Sequence, residues 1–493
     1  MKEDQERLVT ALSGSHRAKI IETHISWVLL AGRHAYKIKK AVRLGFLDFS
    51  SLASRLFYCR EEIRLNRRLA KSIYLDVVPI GGTPDAPVIG FYPAIEYAVR
   101  MKRFPIEYTL DRLVKKGGLL PHHLDLLAES IASFHQGLPP ADPDSGYGKD
   151  IIGPIKRSLD EIMRFSATDL SSILQAVSAK HAELENFFSA RLNEGHVREC
   201  HGDLHLGNIV LCRGQPIPFD CIEFDPALRW IDVINEIAFT VMDLIYHERR
   251  DLAFRFLNAY LERTGDYPGL KALPFYIAAR AIVRAMVEAI RSGRTPSCES
   301  HLALAWKWLN PARPFLIITH GLPGSGKTTF SQAALEKYGA IRIRSDVERK
   351  RMAGLSPLQE SGSGIDSGLY APGISKAVYA RLLFLAQALL DAGFPVIVDA
   401  AFLEKEARDP FCDLARQLEI PFAVASMQAE ESALVERIRT RRRDASEADL
   451  AVLKAKEAAF EPLHVDERLQ AAFFSDLRDP EGWRTLEKCL VSA

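Results

Sequence analysis

Residues 315–329 read FLIITHGLPGSGKTT, an apolar run followed by a glycine-rich turn and a lysine-threonine pair. From Gly321 to Thr328 the turn matches the pattern G-x-x-x-x-G-K-[ST], and a helical pattern follows it. Strand, glycine turn and helix in this order begin a β-α-β fold. Further apolar runs at 340–343, 394–398 and 421–426 alternate with helical segments. The second half is therefore predicted to be an α/β domain with a parallel sheet.

The chemistry of this phosphate-binding loop (P-loop) follows from its composition. Glycines allow backbone amides to approach a phosphate closely, and the following helix adds a partial positive charge at its N-terminus. Lysine then reaches the β and γ oxygens, and the threonine hydroxyl is a ligand for Mg²⁺. The pattern predicts ATP and Mg²⁺ as cofactors, with the nucleotide held by Gly321, Gly324, Ser325, Gly326, Lys327, Thr328 and Thr329.

Two other strands of the second half end in carboxylates. The run at 394–398 leads into Asp399, a predicted Mg²⁺ ligand at the carboxyl edge of the sheet. Another strand leads into Asp346, which we predict to accept a proton from a hydroxyl or to position the substrate. Arg349 lies one helical turn later and faces the same way in this interpretation. Helix capping and an exposed arginine are the structural alternatives.

Residues 434–443 concentrate arginines at the end of a predicted helix. Guanidinium groups stabilise charge on a transferring phosphoryl group, so this segment is a candidate lid. Arg437 and Arg441 are the predicted catalytic arginines, although basic runs are more often solvated faces.

The P-loop, the element from Ser345 to Arg349, Asp399 and the arginine-rich segment together resemble the P-loop small kinases. That group includes gluconate kinase, zeta-toxin kinases and polynucleotide 5′-kinases, and P-loop ATP-binding proteins of the AAA kind share the loop. The resemblance covers residue 314 to the C-terminus and implies a kinase. Transfer of phosphate to water, as in ATPases, is the alternative.

The first half carries a different motif. Residues 200–211 read CHGDLHLGNIVL and contain H-G-D-x-x-x-x-N, followed by an apolar run. At this spacing Asp203 accepts or orients the proton of an attacking hydroxyl, and Asn208 binds Mg²⁺. A second apolar run leads to Asp220, the predicted second metal ligand. The three residues form one predicted magnesium-and-base site.

This motif resembles the aminoglycoside phosphotransferase and choline-kinase family over residues 22–291. The resemblance implies a protein-kinase-like α+β fold and a strand lysine that holds ATP phosphates, paired with a helix glutamate. Lys37 and Lys39 share one face of a predicted strand, and Lys39 fits the family spacing better. Glu62 is the predicted partner. Asp232 resembles an aspartate that supports the catalytic loop and is interpreted as structural.

The remaining pattern sets the domain limits. A hairpin is predicted around Gly32, a helix over 51–69, a strand at 77–80 and a mostly helical segment over 110–192. Breakers between residues 291 and 314 mark the boundary. The predicted domains are 1–295, kinase-like, and 314–493, P-loop kinase-like, joined by a linker over 296–313.

Composition excludes several classes of protein. The formal charge is +1, from 64 basic and 63 acidic residues, which gives no electrostatic case for nucleic acid as a partner of the whole chain. Seven scattered cysteines without zinc-like spacing fit reduced thiols. Without an apolar N-terminal run or a stretch of about 20 apolar residues, we expect a cytoplasmic protein and no membrane partner.

The sequence therefore predicts an ATP-dependent kinase with two modules, each transferring the γ-phosphoryl group to a hydroxyl of a small-molecule acceptor. One alternative makes the first half a non-catalytic ligand-binding lobe that regulates the P-loop half. In that alternative the P-loop half is a toxin-like or polynucleotide 5′-kinase-like enzyme, so that nucleic acid stays an alternative partner of this half alone. The sequence does not define the oligomeric state.

Overall fold

The computed structural model describes residues 2–44, 47–165, 169–293, 295–362, 368–440, 445–447 and 449–491. The chain divides into two compact units. The first is Met1–Asp160 with His181–Asp243, and the second is Glu161–Lys180 with Leu244–Ala493.

The first unit combines an antiparallel sheet with helices. Its strands are β1 Lys19–Glu22, β2 Ser26–Ala31, β3 His34–Lys39, β4 Arg43–Leu44, β5 Leu47–Asp48, β6 Tyr74–Thr83, β7 Ala86–Ile89, β8 Ala94–Lys102, β9 Val197–Glu199, β10 Ile209–Cys212, β11 Gln215–Pro218 and β12 Trp230–Asp232. The helices up to residue 246 are α1 Lys2–His16, α2 Leu52–Ala70, α3 Leu110–Lys115, α4 Pro121–Gly137, α5 Ile152–Phe165, α6 Ser171–Asn193 and α7 Val233–Tyr246.

Six strands form the main sheet of this unit, in the order β1-β2-β3-β8-β6-β7. The predicted hairpin is confirmed, because β2 and β3 pair antiparallel across Gly32. Helix α1 packs Leu8 and Leu12 against Trp27 and Ile38 of this hairpin. Burial of such side chains contributes about 1.5–3 kcal/mol each.

Helix α2 carries the predicted glutamate into the interior. The side chain of Ser51 caps its first turn by accepting a hydrogen bond from Ser54 N, which confirms the predicted helix start. Its buried face includes Cys59, Glu62 and Leu65 at spacings of three residues. Glu62 is completely buried, so an ionised side chain here requires cationic partners.

A small hairpin orders the motif of residues 200–211. Strands β10 and β11 pair antiparallel, with Ile209 opposite Pro218. The catalytic-loop motif ends where β10 begins, and Asp220 follows the end of β11. Because the two strands are antiparallel, the loop and Asp220 lie at the same end of the hairpin.

The second unit holds five further strands, β13 Leu316–His320, β14 Ile341–Arg344, β15 Val396–Asp399, β16 Phe422–Met427 and β17 Ala471–Phe474. Its remaining helices are α8 Arg250–Thr264, α9 Leu273–Ser292, α10 Pro296–Leu309, α11 Lys327–Tyr338, α12 Ser345–Met352, α13 Pro372–Asp391, α14 Lys405–Gln417, α15 Glu431–Thr440, α16 Leu450–Ala458, α17 Val465–Arg468 and α18 Pro480–Val491.

The five strands form one parallel sheet in the order β14-β15-β13-β16-β17. The predicted parallel sheet is therefore confirmed. Every residue of the central strand β13 is buried, as expected of a strand covered on both faces. Strand β17 is an addition that the sequence pattern did not predict. The P-loop follows the carboxyl end of β13, where open α/β sheets bind ligands.

The predicted linker over 296–313 is largely helical, because α10 occupies Pro296–Leu309. Thr295 caps this helix by accepting a hydrogen bond from Cys298 N. The ring of His301 in α10 stacks on Tyr246 with 3.9 Å between centroids. The division into compact units does not define evolutionary domains, so the predicted limits 1–295, 296–313 and 314–493 stay a prediction.

Among the described residues, one helix, Gly373–Asp391, is long and apolar enough to cross a membrane by length and composition alone. A core helix of a globular domain meets the same criterion. This helix belongs to α13, which packs against β14 and β15 of the parallel sheet. The finding is weak evidence for a membrane span.

Candidate active sites

The motif of the first unit forms a tight hydrogen-bonded loop. Asn208 Nδ2 donates to Asp203 Oδ2 at 2.8 Å and to the Asp203 carbonyl oxygen at 3.1 Å. His205 Nε2 lies 3.5 Å from Asp203 Oδ2. The amide nitrogen of Asn208 is therefore used within the loop, and its side-chain oxygen is the atom suited to a cation.

The imidazole of His201 supports this loop through two hydrogen bonds. Its Nε2 lies 2.9 Å from the Phe219 carbonyl oxygen, and its Nδ1 lies 3.3 Å from Asp203 N. One ring nitrogen thus donates and the other accepts, which is the pattern of neutral imidazole. Burial lowers the pKa of His201 to about 4, although Asp203 opposes the shift. His201 is a structural part of the loop at neutral pH.

Asp220 has φ of 65°, a left-handed conformation that costs a non-glycine residue about 1–3 kcal/mol. The surroundings hold it there. Asp220 N donates to the Tyr74 hydroxyl at 3.1 Å, and the preceding Phe219 N donates to the Asn208 carbonyl at 2.8 Å. This backbone link ties two predicted metal ligands, Asn208 and Asp220, to one another.

Both candidate lysines reach the predicted glutamate. Lys39 Nζ lies 2.8 Å from Glu62 Oε2 and also pairs with Glu223. Lys37 Nζ lies 2.9 Å from Glu62 Oε1 and 2.6 Å from Asp220 Oδ1. The Lys37 side chain is 11% exposed and that of Lys39 is fully buried. The choice of Lys39 for ATP stays a prediction, and this geometry favours Lys37, its alternative.

Charge balance explains why Lys37, Lys39 and Glu62 tolerate burial in their ionised forms. Burial alone lowers the pKa of Lys37, but the carboxylates of Asp220, Glu62 and Glu223 raise it well above its ordinary value. Burial raises the pKa of Glu62, but both lysines outweigh this effect and lower it to about 2. The lysines are thus cationic and Glu62 anionic at neutral pH.

Two buried groups behind the loop are structural. Asp232 pairs with Arg191 at 2.7 Å and accepts from Ile234 N at 2.8 Å, in agreement with the interpretation of Asp232 as structural. Ligand atoms of His135, Cys200 and Glu236 lie within 4.8 Å of one another. However, both Glu236 carboxylate oxygens accept backbone N–H groups, from His201 and Gly202. We interpret Glu236 as a support of the loop.

The P-loop of the second unit has the form of an anion cradle. Gly321, Gly324 and Gly326 have φ of 143°, 83° and 105°. A Cβ on Gly321 would lie 2.6 Å from the Met427 carbonyl oxygen, which explains why glycine is required there. Lys327 Nζ donates to the Gly321 and Leu322 carbonyls at 2.8 Å each, which bends its ammonium over the loop.

The predicted metal carboxylate, Asp399, is 5% exposed at the end of β15. Its Oδ2 accepts from Ser331 Oγ at 3.0 Å and lies 3.7 Å from Arg344 Nε. Ser331 is three residues beyond Thr328 on α11. Asp399 and Thr328 both line one cavity of 880 Å³.

The same cavity brings the acceptor-side candidates together. Asp346, Arg349 and Tyr379 line it, together with Lys327 of the P-loop. Arg349 Nη1 donates to the Leu369 carbonyl at 2.8 Å, so its guanidinium turns inward. Burial raises the pKa of the Tyr379 phenol, which stays protonated and able to donate.

Arg437 lies against the P-loop. Its Nη1 is 3.2 Å from the Gly324 carbonyl oxygen and 3.4 Å from that of Ser325. The other predicted lid arginine, Arg441, lies outside the described residues. A guanidinium at this position is within reach of a phosphate bound by the loop.

Sequence reasoning missed Ser331, Arg344, Tyr379 and Glu223. Two of them carried a usable signal. Ser331 follows the Thr328 position at helical spacing, and Arg344 is the last residue of the strand that leads to Asp346. Glu223 and Tyr379 meet their sites only through the tertiary fold.

The residues present fit ATP and Mg²⁺ in both units. In the second unit, P-loop glycines at positive φ leave room for phosphates. Lysine supplies a positive charge, and threonine and aspartate supply hard oxygen ligands. In the first unit, Asn208 and Asp220 supply oxygen ligands, and Lys37 supplies a positive charge for phosphate.

Comparison with family models defines the class. A model described as the phosphotransferase enzyme family matches residues 54–273, and one described as an AAA domain matches residues 316–463. The chain is therefore a phosphotransferase enzyme, with a protein-kinase-like phosphotransferase domain followed by a P-loop kinase-like domain.

Relatives that align over most of the chain identify the family. The chain is 31% identical over 464 residues to uncharacterized protein Rv2004c of Mycobacterium tuberculosis (strain ATCC 25618 / H37Rv). Uncharacterized protein Mb2027c of Mycobacterium bovis matches equally. Each match covers 90% of this chain and 91% of the relative. The chain belongs to the same family as these mycobacterial proteins.

Solved structures show more distant similarity to the chain. A choline kinase from Cryptosporidium parvum is 13% identical with a TM-score of 0.38, over 59% of this chain and 88% of that one. A gluconokinase from Sinorhizobium meliloti is 20% identical with a TM-score of 0.26, over 36% and 90%. At these TM-scores the similarity carries no conclusion about substrate.

Proposed function

We propose that both halves are active ATP-dependent kinases, each transferring the γ-phosphoryl group of Mg²⁺-ATP to a hydroxyl of a small molecule. One observation carries the proposal. Each half has its own acceptor-side carboxylate, phosphate-binding lysine and oxygen ligands for a cation: Asp203, Lys37, Asn208 and Asp220 in the first, and Asp346, Lys327, Thr328 and Asp399 in the second.

In the first half Asp203 holds the acceptor hydroxyl and takes its proton as the new O–P bond forms and the bond to ADP breaks. The Asn208 amide fixes the Asp203 carboxylate for this task. Lys37, held between Glu62 and Asp220, binds phosphate oxygens. Positioning and electrostatic stabilisation account for the rate, since no covalent step on the protein is required.

In the second half the P-loop amides and Lys327 hold the β- and γ-phosphates. Arg437, already against the loop, stabilises the charge that develops on the transferring group. Asp346 takes the proton of the acceptor hydroxyl. Arg349 and Tyr379 line the same cavity and position the acceptor. A cytoplasmic location, where ATP is available, is part of this proposal.

Turnover of Mg²⁺-ATP tests the proposal in full-length wild type, Asp203→Ala and Lys327→Ala. The acceptor panel contains sugars, amino alcohols, nucleosides and 5′-hydroxyl oligonucleotides. We expect each substitution to abolish a different acceptor-dependent activity, by at least about 10²-fold. Each variant is the control for the other, because it removes one site and leaves the second.

Three outcomes contradict the proposal. If Asp203→Ala changes nothing with any acceptor and Lys327→Ala stops all ATP consumption, the first half is a non-catalytic lobe. If ATP consumption needs no acceptor and Lys327→Ala abolishes it, the P-loop half is an ATPase. A response to oligonucleotides alone replaces the small-molecule acceptor of that half by nucleic acid.

A further inference from the structure

Helix α8 covers the outer edge of the parallel sheet. Strand β14 is the end strand of that sheet, and its outer edge has no neighbouring strand among the described residues. A side chain of α8 forms the hydrogen bonds at this edge instead. Asn258 of α8 accepts from Arg342 N at 2.7 Å and donates to the Ala340 carbonyl at 2.9 Å. Asn258 is 2% exposed, so the helix seals this edge as a neighbouring strand would.

Glu262 lies one turn further along the same helix. Its Oε1 accepts from Arg342 Nη2 at 2.6 Å and from Arg342 Nε at 3.1 Å. Its Oε2 lies 3.7 Å from Arg344 Nη1. Arg342 and Arg344 are alternate residues of β14, so one carboxylate serves two guanidinium groups on the same face of the strand.

Both arginines connect Glu262 to Asp399, the predicted metal carboxylate. Arg342 Nη1 donates to Ser331 Oγ at 3.3 Å, and Ser331 Oγ donates to Asp399 Oδ2 at 3.0 Å. Arg344 Nε lies 3.7 Å from the same Oδ2. Two separate routes from Glu262 therefore converge on one oxygen of Asp399.

The charges give these contacts a function. Arg342 and Arg344 are 6% and 12% exposed, so water screens them weakly. Glu262 holds both guanidinium groups on the α8 side of the strand. Without its negative charge, Arg344 keeps Asp399 as an anion at 3.7 Å, and Arg342 is linked to the same carboxylate through Ser331. A guanidinium at Asp399 competes directly with a divalent cation.

We infer that Glu262 is a positioning residue of the P-loop site, which holds Arg342 and Arg344 so that Asp399 stays available to Mg²⁺. The inference rests on the proposed function of that site. Glu262 lies inside the segment 54–273 that matches the phosphotransferase family, whereas Asp399 lies inside the AAA match. A helix of the first sequence family thus tunes the metal site of the second.

Nucleotide binding in the full chain tests this inference without relying on turnover. ADP affinity is measured by calorimetry in Mg²⁺ and in EDTA, with every variant in an Asp220→Ala background that removes the predicted metal site of the first half. The reported quantity is the gain in ADP affinity caused by Mg²⁺. Thermal unfolding of each variant verifies that it is folded.

Glu262→Gln keeps the volume of the side chain and removes its charge. We expect the Mg²⁺-dependent gain to fall by about 10- to 100-fold, the usual effect of losing a residue behind a metal ligand. Affinity in EDTA stays unchanged. Ser331→Ala interrupts one route and produces a smaller loss of the same kind, which keeps the inference testable if Glu262→Gln does not fold.

Glu336→Gln is the matched control. Glu336 pairs with Arg255 of α8 at 2.7 Å, so the substitution also removes an ion pair between α8 and α11. It should retain the full Mg²⁺-dependent gain. An equal gain in Glu262→Gln and Glu336→Gln, or an equal loss in Mg²⁺ and EDTA, overturns the inference alone. No gain in the Asp220→Ala reference overturns the proposed metal site and this inference together.

Discussion

Two lysines two residues apart on β3 differ in what surrounds their charge. Lys39 is enclosed by Glu62 and Glu223, and Lys37 bridges Glu62 and Asp220 at a partly exposed position. Lys39, whose charge is enclosed between two buried carboxylates, stabilises the fold. Lys37, whose charge lies beside a predicted metal ligand, binds the substrate. The residues thus separate two roles that their spacing in the sequence cannot distinguish.

Substitution of each lysine by methionine should separate these roles. Lys39→Met leaves two buried carboxylates poorly compensated, and we expect a loss of about 3–5 kcal/mol in the free energy of unfolding. Lys37→Met should lower the turnover of the first half by about 10²-fold with a smaller loss of stability. Denaturant unfolding and acceptor-dependent ATP turnover measure the two effects. The reverse pattern would restore Lys39 as the ATP lysine.

His201 predicts a pH dependence of stability. The unfolded chain binds a proton at His201 near pH 6.5, and the folded protein does so near pH 4. Between these values the unfolded state holds more protons, so stability is fully present above pH 6.5 and decreases as the pH falls to 4. The contribution is roughly 3 kcal/mol over this window.

His201→Gln tests that dependence, because glutamine keeps one donor and one acceptor but does not titrate. Thermal midpoints of wild type and variant are measured between pH 7 and pH 4.5. The variant should show a shallower decrease. Parallel curves for the two proteins would show that His201 does not titrate in this window.

At the scale of elements, the P-loop depends on glycine backbone geometry. Gly321→Ala places a Cβ 2.6 Å from the Met427 carbonyl oxygen, at φ of 143°. We expect the second half to lose ADP affinity by at least about 10-fold, since a loss of about 1.4 kcal/mol in binding free energy corresponds to this factor. Gly373→Ala in α13 is the control, because its Cβ meets nothing within 4 Å. Calorimetry on both variants decides whether the loop needs this glycine.

Helix α15 presents Arg437 to that loop. Arg437 contacts the P-loop carbonyls, close to where the transferring phosphate binds, and not the region of the adenine ring. We therefore expect Arg437→Ala to lower kcat of the second half by about 10²-fold and to change KM for ATP less. Arg439→Ala on the same exposed helix should leave both constants near wild type. A change confined to KM would make Arg437 a binding residue.

At the scale of the whole molecule, helix α8 sets where the second unit can be cut. A fragment of residues 314–493, cut at the predicted boundary, lacks Asn258 and exposes the edge of β14. We expect it to aggregate and to unfold at a lower temperature than a fragment of residues 244–493, which keeps the helix. Light scattering and thermal unfolding compare the two. Equal behaviour would show that the edge needs no cover.

Local patterns predicted those features that local residues determine. The P-loop, the parallel strands through Asp399 and the hairpin carrying Lys37 follow from glycine positions and apolar periodicity. Strand β17 was missed because AAFF is a run of only four apolar residues, which periodicity cannot distinguish from a buried helix segment. Neither the contact of Lys37 with Asp220 nor the contact of Glu262 with β14 could be predicted, because both join residues about 80 or more positions apart.

The cover that α8 gives to β14 also bears on how such a chain is inherited. A recombination event between the two family matches would join the last helices of one protein to the P-loop module of another. The new edge strand would then face a helix without the matching asparagine and glutamate. Selection would remove such hybrids, so the two modules are expected to pass from ancestor to descendant as one unit, as in the mycobacterial relatives aligned over 90% of this chain.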